Sequence, residues 1–305
     1  MTQAGPSVGP LAQAGPSVGP LAPAGPSVGP VTPAGPSVGA GTPAFPRPVA
    51  VTGAAVVLTW GVRLLDRRDA LPGGGRRWVR VNHRGDEVTL VEGVALAIGT
   101  AAPLALVEPA SAAAVLLAAG GGAVDDLAGD TGVKGLRGHL GALRRGRVTT
   151  GALKVAVLVT AGALAAFEAD RCRGRGASTL AAAGVVAGAA NLANLLDLRP
   201  GRTLKVGLLV GLPLARTQPA AAACSGAALA ALPDDLGSRS MLGDTGANAV
   251  GAALGVAAVR ELSPRARWTC LAALAGLTLL SERVSFSRVI DATPVLRQLD
   301  RWGRR

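Results

Sequence analysis

Asp125 and Asp126 stand side by side at the end of an apolar run, residues 110–124. An adjacent acid pair at the edge of an apolar segment is costly to place there, and two roles repay it. It anchors a helix end in water, or it holds a hard cation such as Mg²⁺, which keeps several waters and shares its shell with substrate phosphates. Lys134 and the basic run 135–139, ending at His139, follow closely enough to offset the charge of a diphosphate. Two more polar clusters occupy similar settings. Asn191, Asn194 and Asp197 stand three apart, on one broad side of a helix, with Arg199, Gly201 and Arg202 beyond them. Two such amides also serve as hydrogen bonds between helices. Leu242-Gly243-Asp244-Thr245-Gly246-Ala247-Asn248 opens an apolar stretch. Asp or Thr there caps the helix, or a Gly-flanked Asp beside a helix N-terminus faces a phosphate or its metal. The only histidines, His83 and His139, lie in basic loops, where solvation and phosphate contact fit as well as catalysis. No phosphate-binding loop, dinucleotide fingerprint or nucleophile elbow is present.

The elements that must position these residues are apolar helices. The chain is 49% hydrophobic and 16% charged, with a mean hydropathy of +0.40 that a polar leader dilutes, a composition typical of multi-span membrane proteins. The expected fold is all-α, a polytopic bundle of about nine transmembrane helices over residues 49–65, 91–107, 109–124, 151–167, 178–196, 203–215, 219–232, 247–259 and 268–282. Ala and Gly fill these stretches, which predicts close helix packing. With the 66–90 loop cytoplasmic, the loops and tail on that side carry 21 Lys and Arg against 8 on the other. The positive-inside rule then places the N-terminus outside and the C-terminus inside, and all three acidic clusters fall on the cytoplasmic face.

A net charge of +12 belongs to this topology; with no Lys-rich arm, no aromatic platform and no Tyr, nucleic acid is not an expected partner. Cys172, Cys224 and Cys270 show no metal-knuckle or disulfide spacing. Residues 1–45 repeat AGPSVGP every ten positions; one Val per repeat cannot build a core, so this Ala/Gly/Pro-rich segment is expected to be a disordered tail. It lacks the basic start and continuous apolar stretch of a secretory signal. A transmembrane domain over 46–290 and a basic cytoplasmic tail over 291–305 complete the expected organisation.

Four pieces in order resemble the polyprenyl-phosphate N-acetylhexosamine-1-phosphate transferases, the membrane family (glycosyltransferase family 4) that includes phospho-MurNAc-pentapeptide translocase. Arg80-Val-Asn82-His-Arg84-Gly85 through Gly93 resembles the loop after the family's first helix. Asp125-Asp126 with Lys134 resembles its DD motif. Asn191-x-x-Asn194-x-x-Asp197 with Gly201 resembles NxxNxxDGxxG, and Gly243-Asp244-Thr245-Gly246 resembles GD(T/S)GS. The resemblance covers about 81–290. It implies attack by a polyprenyl phosphate oxygen on a UDP-sugar, giving lipid-diphosphate-sugar and UMP in bacterial cell-envelope polymer synthesis, at the cytoplasmic face of the plasma membrane. Mg²⁺ is the implied cofactor, with Asp244 and Asp126 as metal ligands and Asp125, Asp126 and Asp244 as catalytic residues. Lys134, Asn191, Asn194, Asp197, Arg84 and His139 are the implied substrate-binding residues. Leu198 and Pro200 interrupt DGxxG, Ala247 replaces a Ser, Glu92 replaces a Gly, and 281–290 lacks the family's His-rich loop and the helix after it.

That last departure motivates an alternative, a catalytically inactive relative acting as a membrane scaffold or binding a lipid intermediate. The three acidic clusters weigh against it, since a scaffold needs no charges at a bilayer edge. A transporter would want ionisable residues near mid-membrane and inverted repeats, and neither is evident. Homodimerisation and partner proteins of envelope synthesis are compatible with either reading.

Overall fold

The computed structural model describes residues 47–72, 74–81, 85–128, 135–172 and 174–304, with four isolated positions in the N-terminal repeat. The remainder of the repeat, and with it the expected disordered tail, lies outside the described residues. The chain divides between Thr42 and Pro43, and every element below belongs to the second unit.

Each of the nine apolar stretches coincides with one helix. These are α1 (Arg47–Arg67), α2 (Val91–Ala105), α3 (Pro109–Ala128), α5 (Thr150–Ala169), α6 (Ala177–Leu196), α7 (Arg202–Leu214), α8 (Pro219–Leu236), α9 (Gly243–Glu261) and α10 (Pro264–Ser281). Three short helices accompany them: α4 (Gly135–Arg144), α11 (Phe286–Ala292) and α12 (Pro294–Arg301). A hairpin of two three-residue strands, β1 (Val79–Val81) and β2 (Glu87–Thr89), joins α1 to α2. Helix starts follow local chemistry. Thr149 accepts a hydrogen bond from the Ala152 amide at 3.2 Å, Ser263 accepts from Ala266 at 3.3 Å, and Pro219 and Pro264 open α8 and α10.

Among the described residues four helices, α1, α3, α5 and α6, are long and apolar enough to cross a membrane, and α10 with α11 makes a fifth if that pair, bent by 91°, is one span. The other four expected spans do not meet that measure of length and composition, for a physical reason. α7 has 13 residues and α2 has 15, while α8 and α9 are buried on most sides among other helices and carry Ala, Gly and terminal charges rather than large apolar groups.

α9 is the central helix, packed against α2, α3, α5, α6, α7 and α8. Small residues permit this. A Cβ on Gly251 would strike the Ala189 carbonyl of α6, and one on Gly122 of α3 would strike the carbonyl of Asp244. Leu96, Leu104 and Leu204 are buried, but many large apolar side chains point outward, including Val57, Trp60, Leu116, Val159, Leu180, Leu209 and Leu279. Small residues inside and large hydrophobes outside suit a bundle whose solvent is lipid.

Candidate active site at one end of the bundle

The start of α9 is held by other elements rather than by its own side chains. Its first residue, Gly243, has φ +60°, the left-handed region that favours glycine, and a Cβ there would meet the Asp126 carboxylate oxygens at 2.9 and 3.0 Å. That carboxylate, near the end of α3, caps α9 across the helix boundary. Asp126 Oδ1 accepts from the Asp244 amide at 3.0 Å; Oδ2 accepts from the Thr245 amide at 2.9 Å and the Thr245 hydroxyl at 2.6 Å. The two oxygens of Asp126 therefore satisfy two of the free N–H groups of a helix N-terminus. Neither Asp244 nor Thr245 caps its own helix, and the Asp244 side chain faces outward from it.

Asp244 and Asp125 lie within hydrogen-bonding reach of each other, and one cation serves both. Lys154 Nζ of α5 pairs with Asp244 Oδ2 and lies 3.7 Å from Asp125 Oδ2. Asn194 of α6 completes the arrangement. With its amide nitrogen donating to Asp244 Oδ1 at 2.6 Å, its oxygen accepts from Lys154 Nζ at 2.8 Å. Four helices thus bring Asp125, Lys154, Asn194 and Asp244 to one point. The carboxylates retain 25% and 28% of their exposure, whereas the Lys154 side chain retains 9%.

These acids open onto a cavity of about 480 Å³ lined by Arg80, Asp125, Asp126, Asn194, Asp197, Met241, Gly243 and Asp244 among others. That volume lies within the range of small-molecule sites. Arg80 of β1 is fixed over the end of α3, where its Nη2 donates to the Asp126 carbonyl at 2.6 Å. The hairpin is itself tied to the α9 entrance, since the Met241 amide donates to the Thr89 carbonyl at 3.0 Å. Asp197 sits just beyond α6. Burial, and next the neighbouring Asp235 carboxylate, push its pKa well above the usual carboxylate range, with a Thr203 hydrogen bond opposing them.

Of the residues singled out in the sequence, Asp125, Asp126, Asn194, Asp197 and Asp244 share this cavity. Asn191 does not line it; its amide donates to Thr278 of α10 at 3.1 Å, a bond between helices. His139 Nδ1 lies 2.8 Å from the Thr149 hydroxyl at the start of α5, and its ring packs on Gly151. Lys134 and Arg84 lie outside the described residues. Lys154 and Arg80 were missing from the expected site. Lys154 had a signal: it is the single charge within the apolar run 151–167, and an ionisable residue there calls for a partner.

The donors suit a hard cation in type, since two carboxylates in contact share one ammonium. Among the described residues no group of three or more His, Cys, Asp or Glu is placed to hold a metal by itself. The fit is therefore to an ion bound by one or two carboxylates together with waters and substrate phosphates, the usual habit of Mg²⁺. No protein-family model matches this chain, and no curated protein matches it either.

Proposed function

We propose that this chain is a membrane phosphoglycosyl transferase that moves a sugar-1-phosphate from a UDP-sugar to a polyprenyl phosphate and releases UMP. The observation that carries this reading is the convergence of Asp125, Asp244 and Asn194 on one open cavity at the end of a bundle of apolar helices, with Lys154 buried behind them against both carboxylates. The proposed topology keeps nine spans, the N-terminus outside and this cavity at the cytoplasmic face, where a nucleotide sugar is available and a lipid phosphate arrives from the leaflet.

Asp125 and Asp244 would hold Mg²⁺, which when bound offsets the charge that builds on the departing phosphate. Lys154 supplies the fixed positive charge, buried along its stem and aimed between the two carboxylates. Asn194 orients that ammonium and one oxygen of Asp244, so both arrive pre-positioned. Arg80 lines the cavity wall with its guanidinium held by the carbonyls of Arg77, Val79 and Asp126, and its charge would offset that of a substrate phosphate there. Asp126 acts through position. By capping α9 with three accepted hydrogen bonds it sets where Asp244 stands.

The test is UMP release by the purified protein in detergent with undecaprenyl phosphate, Mg²⁺ and a panel of UDP-sugars. Lipid-dependent UMP from one donor is expected, reduced about a hundredfold or more in Asp244→Asn. Silence across the panel from folded protein overturns the transferase reading and leaves the membrane scaffold.

A further inference from the structure

The C-terminal helix α12 is fastened to the bundle by its polar side. Asp300 is 7% exposed, and it accepts from Arg202 Nε at 2.7 Å and from Arg202 Nη2 at 3.2 Å. Lys205 Nζ donates to the backbone carbonyls of Leu299, Asp300 and Trp302 at 3.0, 2.6 and 3.1 Å, and Arg304 Nε donates to the Pro200 carbonyl at 2.8 Å. The apolar side is left outward. Val295, Leu296, Leu299 and Trp302 are 67%, 42%, 58% and 74% exposed. At about 100° per residue these four fall within an arc of about 120°, with Arg297 and Arg301 on the opposite side.

The Asp300 pairing forbids the helix from rolling this face inward, because that would strand Arg202 and Asp300 without each other in a buried position. The anchor point is the 197–202 turn, immediately past α6, one of the helices long and apolar enough to cross a membrane. Residues 283–304 carry five arginines against Asp291 and Asp300, a positive balance that complements an anionic surface. An apolar arc, a Trp at its end, arginines on the opposite side and attachment where a membrane-length helix stops together select one occupant.

We propose that α12 lies in the plane of the bilayer, its Val295, Leu296, Leu299 and Trp302 face inserted at the headgroup–acyl boundary of an anionic leaflet. The arginines of the same segment meet the lipid phosphates. The device rests on the membrane reading of this chain but not on transferase chemistry. It fixes the height of the 197–202 turn, and hence of Asp197 at the cavity wall, relative to the lipid surface.

The test uses two single-tryptophan forms of the full chain in vesicles of phosphatidylcholine and phosphatidylglycerol. One retains Trp302 (W60F, W78F, W268F) and the other retains Trp60 on the outward side of α1 (W78F, W268F, W302F). Lipids brominated high or low on their acyl chains report depth by quenching. Trp302 emission is expected to fall about twofold or more with shallow bromines and less with deep ones, as an interfacial helix requires. Adding Leu299→Asp, which leaves the Asp300 pairing in place, is expected to weaken that quenching. Trp60 quenched with Trp302 unquenched and water-exposed overturns the interfacial helix while membrane residence stands. Trp302 unquenched but shielded from water also overturns it, in favour of a second copy of the chain. Neither tryptophan quenched overturns membrane residence and the interfacial helix together, and no effect of Leu299→Asp overturns the assigned face.

Discussion

At the end of α8, Asp234 is paired with three cations, Arg63, Arg67 and Arg239; at the start of α9, Asp244 has one cation among the described residues, Lys154, beside the Asn194 amide. The first cluster also contains Glu92, 3.5 Å from Arg63 and hydrogen-bonded by Ser240, so three guanidiniums pair with two carboxylates, and Asp66 lies beside them. The second has one ammonium for two carboxylates, Asp125 and Asp244. Exposure differs in the same sense. The Glu92 and Asp234 side chains retain 0% and 7%, while Asp125 and Asp244 retain 25% and 28% beside a large cavity. The first cluster has its paired carboxylates buried and outnumbered by their guanidiniums; it ties α1, α2 and α8 together, and the cavity of about 390 Å³ that it lines presents those guanidiniums rather than spare carboxylates. A cluster with anions in excess, open on one side, has spare capacity for a cation and what that cation carries.

The largest expected effect is a crossover between the two. Lys154→Gln is expected to lower UMP formation about a hundred- to thousandfold, since it removes a fixed charge from the reacting centre. Its thermal unfolding should change little, because the remaining carboxylates have water and a shared proton available. Arg63→Gln is expected to do the reverse. It strands Glu92 and part of Asp234 in the interior, costing about 3–5 kcal/mol, while molecules that remain folded turn over normally. Activity assays normalised to folded protein, with unfolding curves for both variants, read the crossover. Arg63→Gln that folds as well as the parent but fails to turn over would erase the distinction between the clusters.

A smaller effect sharpens how the site cluster is built. Gly243→Ala must place a Cβ in left-handed backbone and against both oxygens of Asp126. The backbone alone costs about 1–2 kcal/mol. Because Asp126 sets the start of α9, the displaced cap also moves Asp244, and turnover is expected to fall about ten- to a hundredfold. Loss of stability with full activity in the folded fraction would show that Asp244 is positioned by Lys154 and Asn194 without help from the cap.

Much of this arrangement was legible in the sequence, and the illegible parts share a cause. The nine apolar stretches read directly because burial and lipid both demand continuous apolar composition. Asp125, Asn194, Asp197 and Asp244 stood out because a polar group at the edge of such a stretch is expensive. What could not be read was direction. Asp125 and Asp126 are identical in type, yet successive helical residues point about 100° apart, so one meets Lys154 and the other caps α9. Asn191 and Asn194 differ by a smaller rotation and still meet different neighbours, Thr278 and Asp244. The β1–β2 hairpin has strands of three residues, too short for alternation to register, and it was through β1 that Arg80 reached the cavity.

The smallest effect concerns a third charged cluster, the Asp300 attachment of α12, which resembles the Asp234 cluster in having cations to spare. Burial acts to raise the Asp300 pKa, but hydrogen bonds from Arg202 and Arg304 outweigh it and hold the carboxyl below its usual range. A carboxyl whose folded pKa is depressed contributes stability that is fully present above its unfolded pKa and is lost as pH falls through the folded value. The attachment should therefore be insensitive to pH from neutrality down to about 5 and loosen only below about 4, near the free carboxyl value. Trp302 emission in the single-tryptophan protein, followed in detergent so that lipid does not hold the helix, reads the release. Asp300→Asn is expected to abolish this acid transition and to leave α12 loosened at every pH. Release centred near pH 6 would instead assign control of the tail to a group with a raised pKa, and would place this cluster with the anion-rich site rather than with the saturated one.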